Sequence, residues 1–260
     1  MNRIYPLFSS SKGNSTYIGN EQSGVLVDVG VSCKRLCTAL EENSLSPEAV
    51  QGILITHTHS DHVKGLRVFA KKYGIPIFAQ NTNLCILDDK GILPENCKAY
   101  AVDNCEFTLG NFTVNAFETH HDTPASCGYR FCCDDGTSAV VCTDLGEITN
   151  VVWQNICGAS AVLIESNYDD FMLKNGSYSF ELKQRIASDH GHLSNYDCAK
   201  VIKNMLESGT KKFILGHLSE ENNLPDVAEE AVLSELRGFE RGKDYSLVTA
   251  SPCGCKAVEF

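Results

Sequence analysis

Apolar positions in this chain fall into short runs that alternate with segments of helical period. Ile4–Phe8, Ser15–Ile18 and Gly24–Val29 predict short strands separated by Gly turns. Ser32–Asn43 has helical spacing with a serine at the N-cap position. Gly52–Thr56 reads as a buried strand and ends at a run of histidines. Val63–Tyr73 predicts a helix, stopped by Gly74-Ile75-Pro76.

The middle of the chain is richer in strands. Phe107–Leu109 and Phe112–Phe117 flank Gly110-Asn111, and Gly128–Cys133 and Ser138–Cys142 flank Asp134-Asp135-Gly136, so two hairpins are expected. Ala161–Ile164 and Lys212–Leu215 read as buried strands between helices at Ser179–Ser188, Asn195–Ser208 and Asp226–Gly238. Tyr245–Thr249 and Lys256–Phe260 close the chain as strands. Two groups of strands with helices around them imply an α/β chain of two packed sheets covered by helices. Periodicity leaves the strand order open.

Composition narrows the class. The 260 residues are 43% hydrophobic and 21% charged, enough for a sizeable core in one domain of two layered halves or in two small domains. Met1–Phe8 is too short for a signal peptide, and no apolar run approaches the ~18 residues of a membrane span. A soluble cytoplasmic protein is expected. The thirteen cysteines are odd in number and form no pair of CxxC knuckles, which fits reduced, mostly buried thiols. Cys142, two residues before Asp144, is the thiol closest in sequence to the candidate chemistry. A net charge of −11 argues against a broad basic surface for nucleic acid, although bound cations would change the local field.

The eight histidines carry the chemistry. His57, His59, Asp61 and His62 share six residues directly after the apolar strand. In extended chain His57 and His59 share a face and can converge on one metal ion. Asp61 and His62 follow where the chain turns into a helix and can point to a second ion. A polar loop without a cation would strand unpaired imidazoles. His120-His121 follows another strand, and adjacent strand residues face opposite ways, so one of the two is expected to ligate. Asp144 and His217 each end an apolar strand. Taken singly they are an ordinary turn Asp and strand-end His; the recurring context gives them weight. Imidazole and carboxylate suit Zn, Mn, Fe or Ni.

HxHxDH after a strand, followed by distant His, Asp and His, resembles the metallo-β-lactamase superfamily. Ser9–Thr16, Glu165–Asp169, Gly191–Asn195 and Leu215–Asn223 are similar to the YycJ/WalJ branch, bacterial relatives of ribonuclease Z, and the similarity runs from about Pro6 to Leu224. The resemblance implies an αβ/βα four-layer sandwich forming a single domain over residues 1–260. It implies two divalent metal ions, the first on His57, His59 and His121, the second on Asp61, His62 and His217, with Asp144 bridging. The third histidine of this branch precedes an Asp, which selects His121 over His120. Tyr168 stands where the segment often has His and is given no metal role. The cysteine ligand of the β-lactamases themselves is absent, which argues against antibiotic hydrolysis.

The implied activity is phosphodiester hydrolysis by a metal-activated hydroxide, as a 5′–3′ DNA exonuclease in DNA repair, with DNA favoured over RNA as partner and no membrane partner. Asp61 would ligate and orient the water, and His192 would stabilise charge or protonate the leaving oxygen. Lys12 and Asn14 are either a substrate-side loop or an exposed hairpin turn. Ser194 and Asn195 are either phosphate contacts at a helix start or simple caps. Glu165-Ser166-Asn167 either orients ligand histidines or is a polar turn, and His190 is a surface or supporting residue. Two other functions compete: hydrolysis of a small cyclic phosphodiester or a thioester, which the acidic pI of about 5.2 favours, and a metal-binding sensor without turnover.

Overall fold

In the computed structural model, which describes residues 1–260, the predicted strands separate into two seven-stranded sheets. The first contains β1 (Arg3–Ser10), β2 (Gly13–Gly19), β3 (Gly24–Val27), β4 (Val50–Leu54), β5 (Ile77–Ala79) and β6 (Ala99–Ala101), in that spatial order. The second contains β7 (Glu106–Leu109), β8 (Phe112–Glu118), β9 (Cys127–Cys132), β10 (Ser138–Cys142), β11 (Ala161–Glu165), β12 (Lys212–Gly216) and β13 (Ser246–Thr249), also in chain order. The last strand, β14 (Val258–Glu259), returns to pair antiparallel with β1. Each half starts with antiparallel hairpins and continues with parallel strands, from β3 in the first sheet and β10 in the second. The expected hairpins turn on Gly110 and Gly136, both at positive φ.

The alternation along each strand assigns the layers. On β10 and β11, Ala139, Val141, Ala161 and Leu163 face a core shared with Val25, Val27 and Leu54 of the first sheet. Their neighbours Val140, Cys142, Val162 and Ile164 face outward, under α5 (Asn150–Ile156), α8 (Asn195–Glu207) and α9 (Pro225–Glu235). On the other side, Leu26, Ile53 and Ile55 pack against α1 (Cys33–Glu42), α3 (Leu66–Tyr73) and α4 (Asn81–Asp89). Each such fully buried aliphatic side chain contributes roughly 1.5–3 kcal/mol. The result is the four-layer sandwich, helices outside and sheets inside. Ser32 caps α1 as expected, accepting from the Arg35 amide.

One predicted element is cut. In place of a helix over Val63–Tyr73, α2 (Ser60–Val63) ends before Gly65 and α3 begins at Leu66. The break comes from the chain after β3. Val29 N donates to His62 O, and Gly65 N donates to Val29 O, at 2.8 and 2.9 Å. A Cβ on Gly65 would lie 2.0 Å from Val31 O, and one on Gly30 would lie 1.6 Å from Asp61 O. Two glycines thus let the histidine run press directly onto the turn after β3.

Candidate metal centre

The chemistry-bearing residues collect at the C-terminal ends of strands. Asp28 follows β3, His57 follows β4, His121 follows β8, Asp144 follows β10, Glu165 ends β11, and His217 follows β12. Within each sheet these strands run in the same direction, so their ends share one edge. Asp28, Asp144 and His217 take positive φ of 62, 59 and 55°, three of the five non-glycine residues that do so. That left-handed turn aims a side chain off the strand end, at a cost of roughly 1–3 kcal/mol each that the surroundings must offset. Ser9 Oγ helps by accepting from the His217 amide at 2.7 Å.

His57, His59 and His121 form one trio, with ring centroids 4.6–5.1 Å apart. His57 is fully buried; its Nδ1 lies 3.1 Å from Thr56 Oγ1, and its Nε2 has no hydrogen-bond partner. Burial and then its imidazole neighbours hold His57 well below the usual histidine range, so its ring is neutral. Burial, and then His121, lowers His59 too. His121 Nδ1 donates to the Gly191 carbonyl at 3.0 Å, which leaves a lone pair on Nε2, 3.3 Å from His59 Nδ1.

Asp61, His62 and His217 form the second trio. Asp61 Oδ2 lies 3.4 Å from His62 Nε2 and 3.9 Å from His217 Nε2. Behind the imidazoles stand carboxylates: Asp28 Oδ2 at 2.8 Å from His62 Nδ1, and Glu165 Oε1 at 2.6 Å from His217 Nδ1. Burial disfavours the protonated rings, but Asp144 and Asp28 override it at His62 and hold its pKa well above the usual value. At His217, Asp144, Asp61 and Glu165 likewise outweigh burial and push the ring up to about 10.

Asp144 stands between the trios. Its Oδ1 is 3.8 Å from His121 Nε2, and its Oδ2 is 3.4 Å from His62 Nε2. Three buried polar atoms here, His57 Nε2, His217 Nε2 and Asp144 Oδ2, have no hydrogen-bond partner. An unmet buried polar atom costs about 1–3 kcal/mol, and a cation held by each trio would satisfy them. Both trios have ligand atoms within 4.8 Å of one another. An all nitrogen and oxygen donor set, with carboxylates behind two of the imidazoles, fits divalent metal.

Glu165 ties the centre together. Its Oε2 accepts from the Leu145 and Leu193 amides at 3.2 and 3.0 Å, and its Oε1 accepts from His192 Nδ1 at 2.9 Å as well as from His217. His192 lines the open cleft of about 230 Å³ beside the trios. Asn167 Nδ2 donates to the His217 carbonyl at 2.8 Å. His120 turns away, to Glu147 at 2.7 Å, and stacks on His190. Cys142 lies in the apolar layer, where burial pushes its thiol up, and it belongs to no group able to hold a metal.

None of Lys12, Asn14, Ser194 and Asn195, expected as substrate contacts, lines the cleft. Lys12 pairs with Glu220 over a neighbouring groove. Asn14 is buried and lies 3.1 Å from Asp61 Oδ2 and 3.0 Å from His62 Nε2, so it supports ligands. Ser194 caps α8 by accepting from the Asp197 amide, and Asn195 is spent on Ser166 and Asn223. The cleft instead presents Ser11, Tyr178 and Arg185. Ser11 lies within the Ser9–Thr16 segment, whereas Tyr178, Arg185 and Asp28 belong to no motif singled out in the sequence. Asp28 ends the strand Val25–Val27 in the same context as Asp144, which is the signal that finds it. Tyr178 and Arg185 belong to the region of α7 (Phe180–Ile186), which has no buried residue and so no apolar stripe to mark it.

Comparison with known proteins follows the same lines. Residues 24–218 match the beta-lactamase superfamily domain. The chain is 37% identical over 251 residues to Exodeoxyribonuclease WalJ of Streptococcus pneumoniae, covering 95% of this chain and 93% of that protein. It is 34% identical over 250 residues to Exodeoxyribonuclease YycJ of Bacillus anthracis, covering 95% and 94%. Among solved structures, the metallo-beta-lactamase fold protein YhfI of Bacillus subtilis superimposes with a TM-score of 0.71 at 16% identity, over 96% of each chain. The domain match and the two whole-length relatives show that the chain belongs to the beta-lactamase superfamily, in the branch of the WalJ and YycJ proteins.

Proposed function

We propose that this protein is a metal-dependent phosphodiester hydrolase that removes nucleotides from a DNA end. The observation that carries the reading is Asp144 set between two ligand trios at the floor of an open cleft. His57, His59 and His121 would hold one divalent ion, and Asp61, His62 and His217 a second, with Asp144 within reach of both trios. Bound there, such ions supply Lewis acidity and lower the pKa of water.

The chain's own groups do the rest. Asp61 lines the cleft and orients the attacking water through its carboxylate. Glu165 accepts from His192 Nδ1, which aims the other ring nitrogen into the cleft. Burial would strip the His192 ring of its proton, but Glu165 outweighs it and the net shift is upward. His192 therefore holds a proton at Nε2 for the leaving oxygen. The names of the two whole-length relatives favour DNA over RNA. No helix is long and apolar enough to cross a membrane, and thirteen free cysteines suit a reducing cytoplasm.

A small phosphodiester is the second reading, favoured by the net charge of −11. The test incubates metal-loaded protein with end-labelled duplex DNA, single-stranded DNA, RNA and bis-p-nitrophenyl phosphate. Mononucleotides released progressively from a DNA end are expected. Cleavage of bis-p-nitrophenyl phosphate alone would transfer the reading to a small substrate, and no cleavage of any would end it.

A further inference from the structure

Beyond the metal-ligand trios, the cleft holds little basic side-chain chemistry to grip a phosphate. Asp61, Asp122 and Asp144 line it, and Arg185 is the one Arg or Lys among its lining residues. Arg185 stands on α7 with its side chain 61% exposed, so packing does not explain why it reaches over the cleft. Its Nε donates to Asp122 Oδ2. The two terminal nitrogens have no such partner and remain available as a fork.

Asp122 marks where an anion fits. It follows His121 in sequence, and its Oδ1 lies 3.3 Å from His121 Nε2 and 3.8 Å from His59 Nε2. That oxygen is buried and has no hydrogen-bond partner. One small carboxylate therefore spans from the imidazole edge of the first trio to the Arg185 guanidinium. A phosphoryl group has a similar oxygen-to-oxygen reach. With one oxygen at the trios, a second comes within reach of the free guanidinium nitrogens. A planar fork suits two phosphate oxygens in a way that a lysine ammonium does not.

We propose that Arg185 is a catalytic residue that contacts a non-bridging oxygen of the scissile phosphate, and that Asp122 is a positioning residue holding the guanidinium toward the first trio. Arg185 supplies the one guanidinium among the cleft-lining residues, set apart from the metal-ligand trios, and α7 becomes the substrate-facing wall of the site. The substrate named here rests on the hydrolase reading above, while phosphate recognition by Arg185 is separable from it.

The experiment uses metal-loaded wild type, Arg185→Ala, Arg185→Lys, Asp122→Asn and the Arg185→Ala/Asp122→Asn pair. Metal content is measured for each. Thymidine 5′-monophosphate binding is followed by calorimetry, and kcat/KM is measured on end-labelled DNA over a range of salt. Arg185→Ala is expected to keep its metal, weaken nucleotide binding and lower kcat/KM by roughly 10- to 100-fold, the range for a charge-assisted contact. Its salt slope should fall by about one. Arg185→Lys should recover part of the loss. Asp122→Asn should cost less than Arg185→Ala and nothing further when added to it. Nucleotide binding by Arg185→Ala equal to wild type would overturn the inference, whatever happens to DNA. Arg185-dependent nucleotide binding without any DNA cleavage by wild type would keep the phosphate site and sink the nuclease reading instead. An equal Asp122→Asn loss in both backgrounds would overturn the positioning role.

Discussion

The two ligand trios differ in what stands behind them. The first, His57, His59 and His121, is backed by the Thr56 hydroxyl and the Gly191 carbonyl. Burial lowers His57 and His59, so these imidazoles await a cation without a proton to lose. The second trio is backed by the Asp28 and Glu165 carboxylates, and its histidines are pushed up. In the metal-free chain, His62 and His217 are thus held toward their protonated forms. The contrast teaches that neighbouring histidine-bearing sites can differ in whether their imidazoles carry protons. On the two-metal reading, the first would load by simple coordination, and the second by exchanging protons for metal.

The largest effect should come from removing what the trios share. Asp144→Ala should lower turnover by roughly ten-thousand-fold, as for a key member of a catalytic unit, with near-ultraviolet circular dichroism unchanged. Turnover within tenfold of wild type would mean the trios act separately. His192→Ala should cost roughly 10²–10⁴-fold in kcat, the range of general acid catalysis, with both metals retained by elemental analysis. Metal loss with it would shift His192 from proton donor to ligand. Asp28→Asn and Glu165→Gln should each weaken one metal site by roughly 10–100-fold, as for other carboxylates behind a ligand histidine. The other site should be nearly untouched, and equal weakening of both would erase the contrast.

Much of this was legible before the fold was known, because the signals are local. HxHxDH follows an apolar strand, Asp144 and His217 end apolar strands, and Gly110 and Gly136 mark their hairpins. The αβ/βα order came from resemblance rather than periodicity, which cannot order strands. What escaped had no local mark. β5 and β6 have three residues each and α6 (Asp170–Asn175) has six, too few for a periodic pattern. The break at Gly65 depends on Val29 and Val31, more than thirty residues away in sequence. For Ser194, Asn195 and Asn14 the sequence left substrate contact and a structural role open, because a motif shows only the donor and acceptor groups a side chain owns. It does not show that the fold has already used them. Arg185 lies on a helix without a buried face, where nothing in the pattern separates it from any surface arginine.

The most direct test is a calorimetric metal titration of the stripped protein, repeated in buffers of different ionisation enthalpy and at several pH values. His217 is pushed up to about 10, so a metal bound there would displace a proton at neutral pH, and affinity at that site should rise as pH rises toward that value. The slope should be about tenfold per pH unit for each proton released. The account predicts two equivalents, one binding with little proton release and one releasing protons. A single equivalent, or two with identical proton release, would contradict it.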